Sequence, residues 1–531
     1  MRHEVALLHE LPWAAADRSS QAMALHDGDA ATSYGDLAGD IRRFASGLAA
    51  LGIARGERIA IFLEKRNETV IASFGAPALG AVFVPINPLL KAEQVAYILR
   101  DCGVRVLVTS RERVHSLSAA LASCPDLAHL IVVGAAVSNT VPDTIAVHSW
   151  VSILDSSPRP GHRVIDTDVA GILYTSGSTG KPKGVVLSHR NMVAGAKSVA
   201  SYLENNRDDV LLAALPLSFD AGFSQLTTAF HAGASVVLLN YLLPKDVVKA
   251  VAAHRVTGLT AVPPLWIQLT QVTWPSDAGE YLRYFANTGG RMPLETLTRL
   301  RAILPNAKPY LMYGLTEAFR ATYLPPEEVD RRPDSIGKAI PNSEILVLRP
   351  DGSPCEPNEP GELVQRGALV AQGYWNDPEK TAERFRSLPG LEQGLVLPEI
   401  AVFSGDTVRK DEEGFLYFIG RKDEMIKSSG YRISPNEVEE VLYGTHLVGE
   451  CAAFGVPHST LGEVVVAVVT ASDASTFELA RLQALCRERM PAYMLPATFD
   501  IREGPLPRNA NGKIDRKLLS TEFRTAAELA R

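Results

Sequence analysis

The densest run of chemically useful residues lies at Ala170 to His189, AGILYTSGSTGKPKGVVLSH. A strand-like GILY opens into Thr175, Ser176, Gly177, Ser178, Thr179, Gly180, Lys181, Pro182, Lys183 and Gly184, and a strand-like VVLS follows. Glycines let a backbone come close to a bound anion, while hydroxyls and lysines supply donors and positive charge. That set of groups suits a polyphosphate. A P-loop needs Gly, four residues, then Gly-Lys and Ser or Thr. Here Thr175 stands five places before Gly180 and Pro182 follows Lys181, so the P-loop reading fails twice. A surface turn between two strands is the alternative reading of the run.

Five further runs follow in order: YGLTE at 313–317, GELVQRG at 361–367, SGD at 404–406, GRKDEMIKSSGYRI at 420–433 and NGKIDR at 511–516. Together with the loop they resemble the signature motifs of the adenylate-forming superfamily, which holds acyl-CoA synthetases, nonribosomal peptide synthetase adenylation domains and luciferases. The resemblance covers nearly the whole chain. It implies an AMP-forming ligase that uses ATP to activate a small carboxylic acid as acyl-AMP and then passes it to a thiol. A carboxylate attacking the α-phosphate brings two anions together, so such a site must neutralise charge and set an in-line approach. Lysines, hydroxyls and Mg²⁺ are expected there, with no Ser/His/Asp set.

By this resemblance Thr175, Ser176, Gly177, Ser178, Thr179, Gly180 and Lys183 meet the ATP phosphates. Thr316 touches the α-phosphate, Glu317 holds Mg²⁺ and Tyr313 stacks on adenine. Asp406 accepts the ribose hydroxyls, and Arg421 is a second ribose or phosphate contact. Lys513 swings in to bind the substrate carboxylate and the bridging phosphate oxygen. Lys427 serves the thioester-forming conformation, and Asp423 is the hinge between the two arrangements. Taken singly, Glu317 reads as a solvated acid at a helix start, Arg421 as a surface arginine, and Lys427 and Lys513 as solvated lysines. The order of the motifs favours the functional reading.

The segment Pro216 to Phe223, PLSFDAGF, bears on the acid. Amino-acid-activating members of the superfamily carry Phe-Asp here, which implies that Asp220 pairs with an α-ammonium; a buried charge-assisted hydrogen bond contributes about 1.5–3 kcal/mol. A helix N-cap is the other reading of Asp220. Ala221, Ser224, Leu265, Ala286, Thr288, Met312 and Arg320 are candidates for the substrate wall. Arg320 would favour a second anionic group on the substrate, or would point at phosphate or solvent. The expected acceptor is the phosphopantetheine of a separate carrier protein, with CoA and a fatty or aryl acid as the alternative. The run VPINPLLKAEQVAYILRDCGVRVLVTS also resembles freestanding ligases of exopolysaccharide and exosortase gene clusters.

These residues need a large scaffold, and 531 residues exceed one ordinary domain. Strand-like runs at 58–63, 82–86 and 104–109 alternate with helix-like segments at 68–79 and 93–101, the rhythm of βαβ units. More strands are expected at 210–215, 235–239 and 258–262, and the apolar run Ala234 to Leu243 reads as a buried strand. After about residue 335, turn-rich sequence predicts antiparallel sheet, expected as a distorted barrel. Beyond Gly420 a second small α/β pattern begins: a hairpin at 425–433, a helix at 435–443, strands at 450–456 and 463–470, and a helix at 476–489. The expected fold is therefore α/β. A large N-terminal core of parallel and mixed sheets (1–421) carries the nucleotide and acid sites, and a small mobile α+β lid (422–531) follows. A net charge of −7 argues against nucleic acid as a partner. Five scattered cysteines predict neither a disulfide framework nor a zinc site and fit a reducing cytoplasm. No run reaches the roughly 20 apolar residues of a membrane span.

Overall fold

The computed structural model describes residues 4–134, 141–175, 182–388, 399–421, 424–428, 431–458, 461–509 and 512–529. Two large mixed sheets dominate. The first runs, in spatial order, through strands Lys338–Ala339, Thr322–Leu324, Lys308–Tyr313, Tyr284–Asn287, Gly258–Ala261, Val210–Ala213, Ser235–Leu238, Met23–Asp27 and Ala30–Ser33. Its middle is parallel and its two ends are antiparallel. The second runs through Ala146–Ser149, His129–Val133, Val104–Ser110, Arg58–Phe62, Val82–Pro85, Val169–Thr175 and Lys183–Ser188, parallel except for its last pair. Strands covered on both faces must be apolar throughout, which is why IAIF after Arg58 and VFVP read as unbroken apolar runs. The largest core joins both sheets, with Ile59 and Val106 from one and Val236 and Tyr284 from the other, through helix residues Phe44, Phe74, Phe223 and Phe230.

Strands Ser343–Leu348, Gly361–Gly367, Phe385–Ser387, Ile400–Lys410 and Leu416–Arg421 form a curled, wholly antiparallel third sheet. The small C-terminal domain is α+β and has its own sheet and core. Its sheet is built from Ile426–Ser428, Tyr431–Ile433, Val448–His458, Gly462–Ala471 and Thr498–Arg502, and its core includes Ile426, Val438, Ala467, Val469, Leu482 and Cys486. Asp423, the expected hinge, lies outside the described residues.

The expected strands and helices recur with ends shifted by a few residues, with one clear correction. The run Ala234 to Leu243 is a strand only over Ser235–Leu238, and Leu242 is 91% exposed. Asn240 ends the apolar stretch by exchanging hydrogen bonds with the backbone of Lys65. The helix expected from Thr476 begins at Leu479. In the small domain, strand Thr498–Arg502, which pairs in parallel with Gly462–Ala471, and the final helix Arg516–Leu529 were not expected. Among the described residues no helix is long and apolar enough to cross a membrane.

Candidate functional site

Strand Lys308–Tyr313 delivers one wall of the site. Tyr313 ends it, and its hydroxyl donates to Asp406 on the long strand Ile400–Lys410. Asp406 and Arg421 are register partners across the antiparallel pair, with Arg421 Nε 3.2 Å from the carboxylate. Ser404 Oγ donates to the Leu363 carbonyl at 2.7 Å and accepts the Asp406 N–H at 3.0 Å, which fixes the turn before the acid. Burial pushes the Asp406 carboxyl up, opposed by Arg421. A buried acid beside an aromatic ring, able to accept from neighbouring hydroxyls, suits a nucleoside.

A second cluster links Glu317 to the glycine-hydroxyl run. Thr175 and Lys183 are register partners at the ends of two antiparallel strands; Ser176, Gly177, Ser178, Thr179 and Gly180 lie outside the described residues. Segment 371–375 ties the strand after the run to the acid: Gln372 N–H donates to Val186 O, Trp375 N–H to Gly184 O and Ala371 N–H to Glu317 O. Tyr374 completes the link. Its hydroxyl donates to Glu317 Oε1 at 2.6 Å, and Lys183 Nζ stands 5.3 Å from its ring centroid. Sequence reasoning passed over Tyr374, an aromatic outside every motif it used. A single half-buried carboxylate beside a cationic, hydroxyl-rich run fits Mg²⁺ carried on a polyphosphate, because that ion keeps most of its ligands from water and phosphate.

The third cluster surrounds Asp220, the first residue of helix Asp220–Ala232; the N-cap is Phe219. Asp220 Oδ2 accepts from Arg320 Nη1 at 3.0 Å and Oδ1 from Thr316 Oγ1 at 3.3 Å. The Asp220 and Arg320 side chains are 4% and 3% exposed, so Arg320 does not face solvent. Burial raises the Asp220 carboxyl, while Arg320 and then Lys513 pull it down. Lys513 arrives from the small domain and passes over Gly289, where a Cβ would stand 3.1 Å from Lys513 Cε. Gly289 has φ +76°, so it is glycine for both conformation and space. Burial lowers the Lys513 ammonium and Asp220 raises it.

A narrow cavity leads from this cluster along helix Asp220–Ala232. Of the residues expected in a substrate wall, Ala221, Ser224, Met312 and Arg320 line it. Leu265, Ala286 and Thr288 do not. Leu265 packs in the core with Leu212 and Phe219, and Ala286 sits within its sheet. Thr288 N–H bonds to Ala261 O in the loop that carries Gly289. Gln225, Thr228, Val199, Leu203 and Tyr284 line the cavity as well. The 3.6-residue spacing from Ser224 could have revealed Thr228, but the facing helix could not be assigned from sequence. Of Lys427 only the backbone is described, in strand Ile426–Ser428.

Comparison with known proteins gives concordant matches. The AMP-binding enzyme profile matches residues 12–375, and the AMP-binding enzyme C-terminal domain profile matches residues 437–513. A feruloyl-CoA synthase from Amycolatopsis sp is 32% identical over 505 residues, covering 93% of this chain and 95% of that protein. An L-proline–[L-prolyl-carrier protein] ligase from Pseudomonas fluorescens is 30% identical over 527 residues, covering 97% and 99%. The structure of O-succinylbenzoate coenzyme A synthetase from Bacillus subtilis, in complex with ATP and magnesium ion, superposes with a TM-score of 0.80 at 28% identity, covering 96% of this chain and 98% of the other.

Proposed function

This chain belongs to the AMP-binding enzyme family, the ATP-dependent, AMP-forming acid–thiol ligases, and we propose that it joins a carboxylic acid without an α-ammonium to coenzyme A. The observation that carries the choice of acid is the buried Asp220–Arg320 pair. A carboxylate already matched by a guanidinium at hydrogen-bond distance has no net charge to give a substrate ammonium, and an unmatched buried ammonium would be strongly disfavoured. This sets aside the amino-acid role expected for Asp220 and, with it, the main reason for a carrier-protein acceptor. The feruloyl-CoA synthase likeness supports CoA. The prolyl-carrier protein ligase likeness keeps the amino-acid and carrier-protein reading as the second one.

In the proposed reaction Tyr313, Asp406 and Arg421 hold the nucleoside, with Asp406 accepting from the ribose. Thr175, the glycine-hydroxyl run and Lys183 hold the phosphates. Glu317, oriented by Tyr374, would hold Mg²⁺, which when bound neutralises phosphate charge. Lys513 draws the acid carboxylate toward the α-phosphate, and the Thr316 hydroxyl, which donates to Asp220 in this structure, turns to a phosphoryl oxygen when ATP binds. The carboxylate oxygen bonds to the α-phosphorus and pyrophosphate leaves. The thiol sulfur then bonds to the acyl carbon and AMP leaves, after the small domain has turned about Asp423 to withdraw Lys513 and bring Lys427 in.

The test is pyrophosphate exchange with ATP and Mg²⁺ over panels of aryl, fatty and amino acids, followed by product mass with CoA present. An acyl-CoA from an aryl or fatty acid is expected. Exchange confined to amino acids, with no thioester formed on CoA, overturns the reading.

A further inference from the structure

The cavity beside Asp220 has two unlike walls. Val199, Leu203, Leu211 and Met312 make one side apolar. The other is a stripe of helix Asp220–Ala232 that presents Ser224, Gln225 and Thr228 beside Arg320. These four side chains are 2%, 6%, 1% and 3% exposed. Each keeps a buried polar atom with no hydrogen-bond partner: Ser224 Oγ, Gln225 Oε1, Thr228 Oγ1 and Arg320 Nε. Buried polar atoms are normally paired, and leaving one unpaired costs about 1–3 kcal/mol. Four in one short cavity point to a ligand group that pairs them.

We propose that the acid bound here carries a hydroxyl group on its tail, recognised by Ser224, Gln225 and Thr228. The inference rests on the adenylating reading above and names the substrate class of that same site. Three observations fix the chemistry. Gln225 Nε2 donates to the Gly222 carbonyl at 3.2 Å, so its Oε1 is left as an acceptor that needs a donor. Arg320 Nε can only donate, so it needs an acceptor. A hydroxyl does both. A second carboxylate would find no unmatched cation, because Arg320 is the one charged side chain lining the cavity among the described residues and Asp220 already holds it. Position follows from helix geometry. The reacting carboxylate sits by Lys513 and Asp220, and at a rise of about 1.5 Å per residue Ser224 lies roughly 6 Å and Thr228 roughly 12 Å further along. The free volume between the walls is about 20 Å³, room for a small polar group such as a hydroxyl, so the ring or chain that carries it enters only as the apolar wall gives way.

The experiment measures kcat/KM for pyrophosphate release with matched acids: benzoate, cinnamate and hexanoate, their terminally hydroxylated counterparts, and the counterparts bearing a carboxylate or an amino group at the same position. The hydroxylated member of at least one pair is expected to exceed its parent by about 10- to 100-fold, the effect of leaving one or two buried polar groups unpaired. Thr228→Val and Ser224→Ala should each cut that ratio about 10-fold, with unchanged thermal unfolding as the check on folding. Equal kcat/KM for parent and hydroxylated acids, or preference for the dicarboxylate or the amine, overturns this inference and leaves adenylation standing. Pyrophosphate release with no acid of any kind overturns the adenylating reading and this inference with it.

Discussion

Asp220 and Arg320 meet where water cannot compensate either charge, so each depends on the other. Removing one partner of a buried pair destabilises a protein by about 3–5 kcal/mol, whereas replacing both with apolar groups of similar size costs far less. Asp220→Ala is therefore expected to lower unfolding free energy in urea by about 3–5 kcal/mol, and Asp220→Ala with Arg320→Met to recover most of it. An Asp220 that serves a substrate ammonium would behave differently, raising KM for amino acids with little change in stability. Lys513 invites a test by pH. In the proposed role its ammonium must be charged to hold a carboxylate, and burial lowers its pKa from the ordinary lysine value despite the pull of Asp220. Adenylation should thus decline on the alkaline side at a pH below the usual lysine range. Lys513→Arg should carry that limb upward, because a guanidinium stays charged. Lys513→Ala should abolish adenylation and spare thioester formation from supplied acyl-AMP. A profile that Lys513→Arg leaves unmoved would remove the lysine from the first half-reaction.

What aims Arg320 at Asp220 is the element before it. The short 3₁₀ turn Thr316–Ala318 ends at Phe319, which is fully buried with φ +56°. A bulky residue there is strained by about 1–3 kcal/mol and persists only where packing dictates it. The packing comes from helix His189–Tyr202, where Gly195 gives way to the ring; a Cβ at that position would lie 2.4 Å from Phe319 Cδ1. Gly195→Ala would gain about 1 kcal/mol of helix propensity in isolation, yet it is expected to destabilise the protein by about 1–3 kcal/mol through overpacking. It should also lower kcat for pyrophosphate release, since Arg320 and Thr316 flank the displaced ring. Denaturant midpoints and kcat read the two effects separately, and a stabilised variant would refute the packing argument. None of this was legible in the sequence. YGLTE marks Thr316 and Glu317, but nothing in it announces a left-handed phenylalanine, and Gly195 looks like any glycine in a helix. Tyr374 escaped for the same reason. Its role arises from a bridge to the strand after the glycine-hydroxyl run, a contact across some 190 residues. The central strands and helices were legible because periodicity is local, whereas the cavity needed two helices whose mutual placement is tertiary.

At the scale of the whole molecule, several polar contacts among the described residues join the small domain to the large one. Lys513 crosses Gly289, Arg291 Nε stands 3.7 Å from Glu440, Leu294 N–H donates to Glu440 at 3.3 Å, and His446 Nδ1 stands 2.8 Å from Glu295. The texture change near residue 421 gave the expectation of a second unit, and the small domain does have its own core, but the change did not say which faces meet, because these charged residues read as ordinary surface positions until the domains are placed. Exposed ion pairs contribute about 0–1 kcal/mol each and weaken with salt. On the proposed reading, a lid that leaves between half-reactions is held this loosely. On the proposed rotation the contacts favour the adenylating arrangement alone, so their loss should tax one half-reaction and not the other. Glu440→Ala is expected to slow pyrophosphate release about 3- to 5-fold, the loss of roughly 1 kcal/mol, while thioester formation from supplied acyl-AMP and CoA stays at the unmodified rate. Salt supplies the control that separates the lid from nucleotide binding, because ATP affinity falls with ionic strength in both proteins. Between about 0.05 and 0.5 M salt, where screening shortens from beyond one ion-pair length to within it, the unmodified protein should lose adenylation more steeply than Glu440→Ala. Equal slopes, or equal slowing of both half-reactions by Glu440→Ala, would mean that the Glu440 contacts do not select between the two arrangements of the lid.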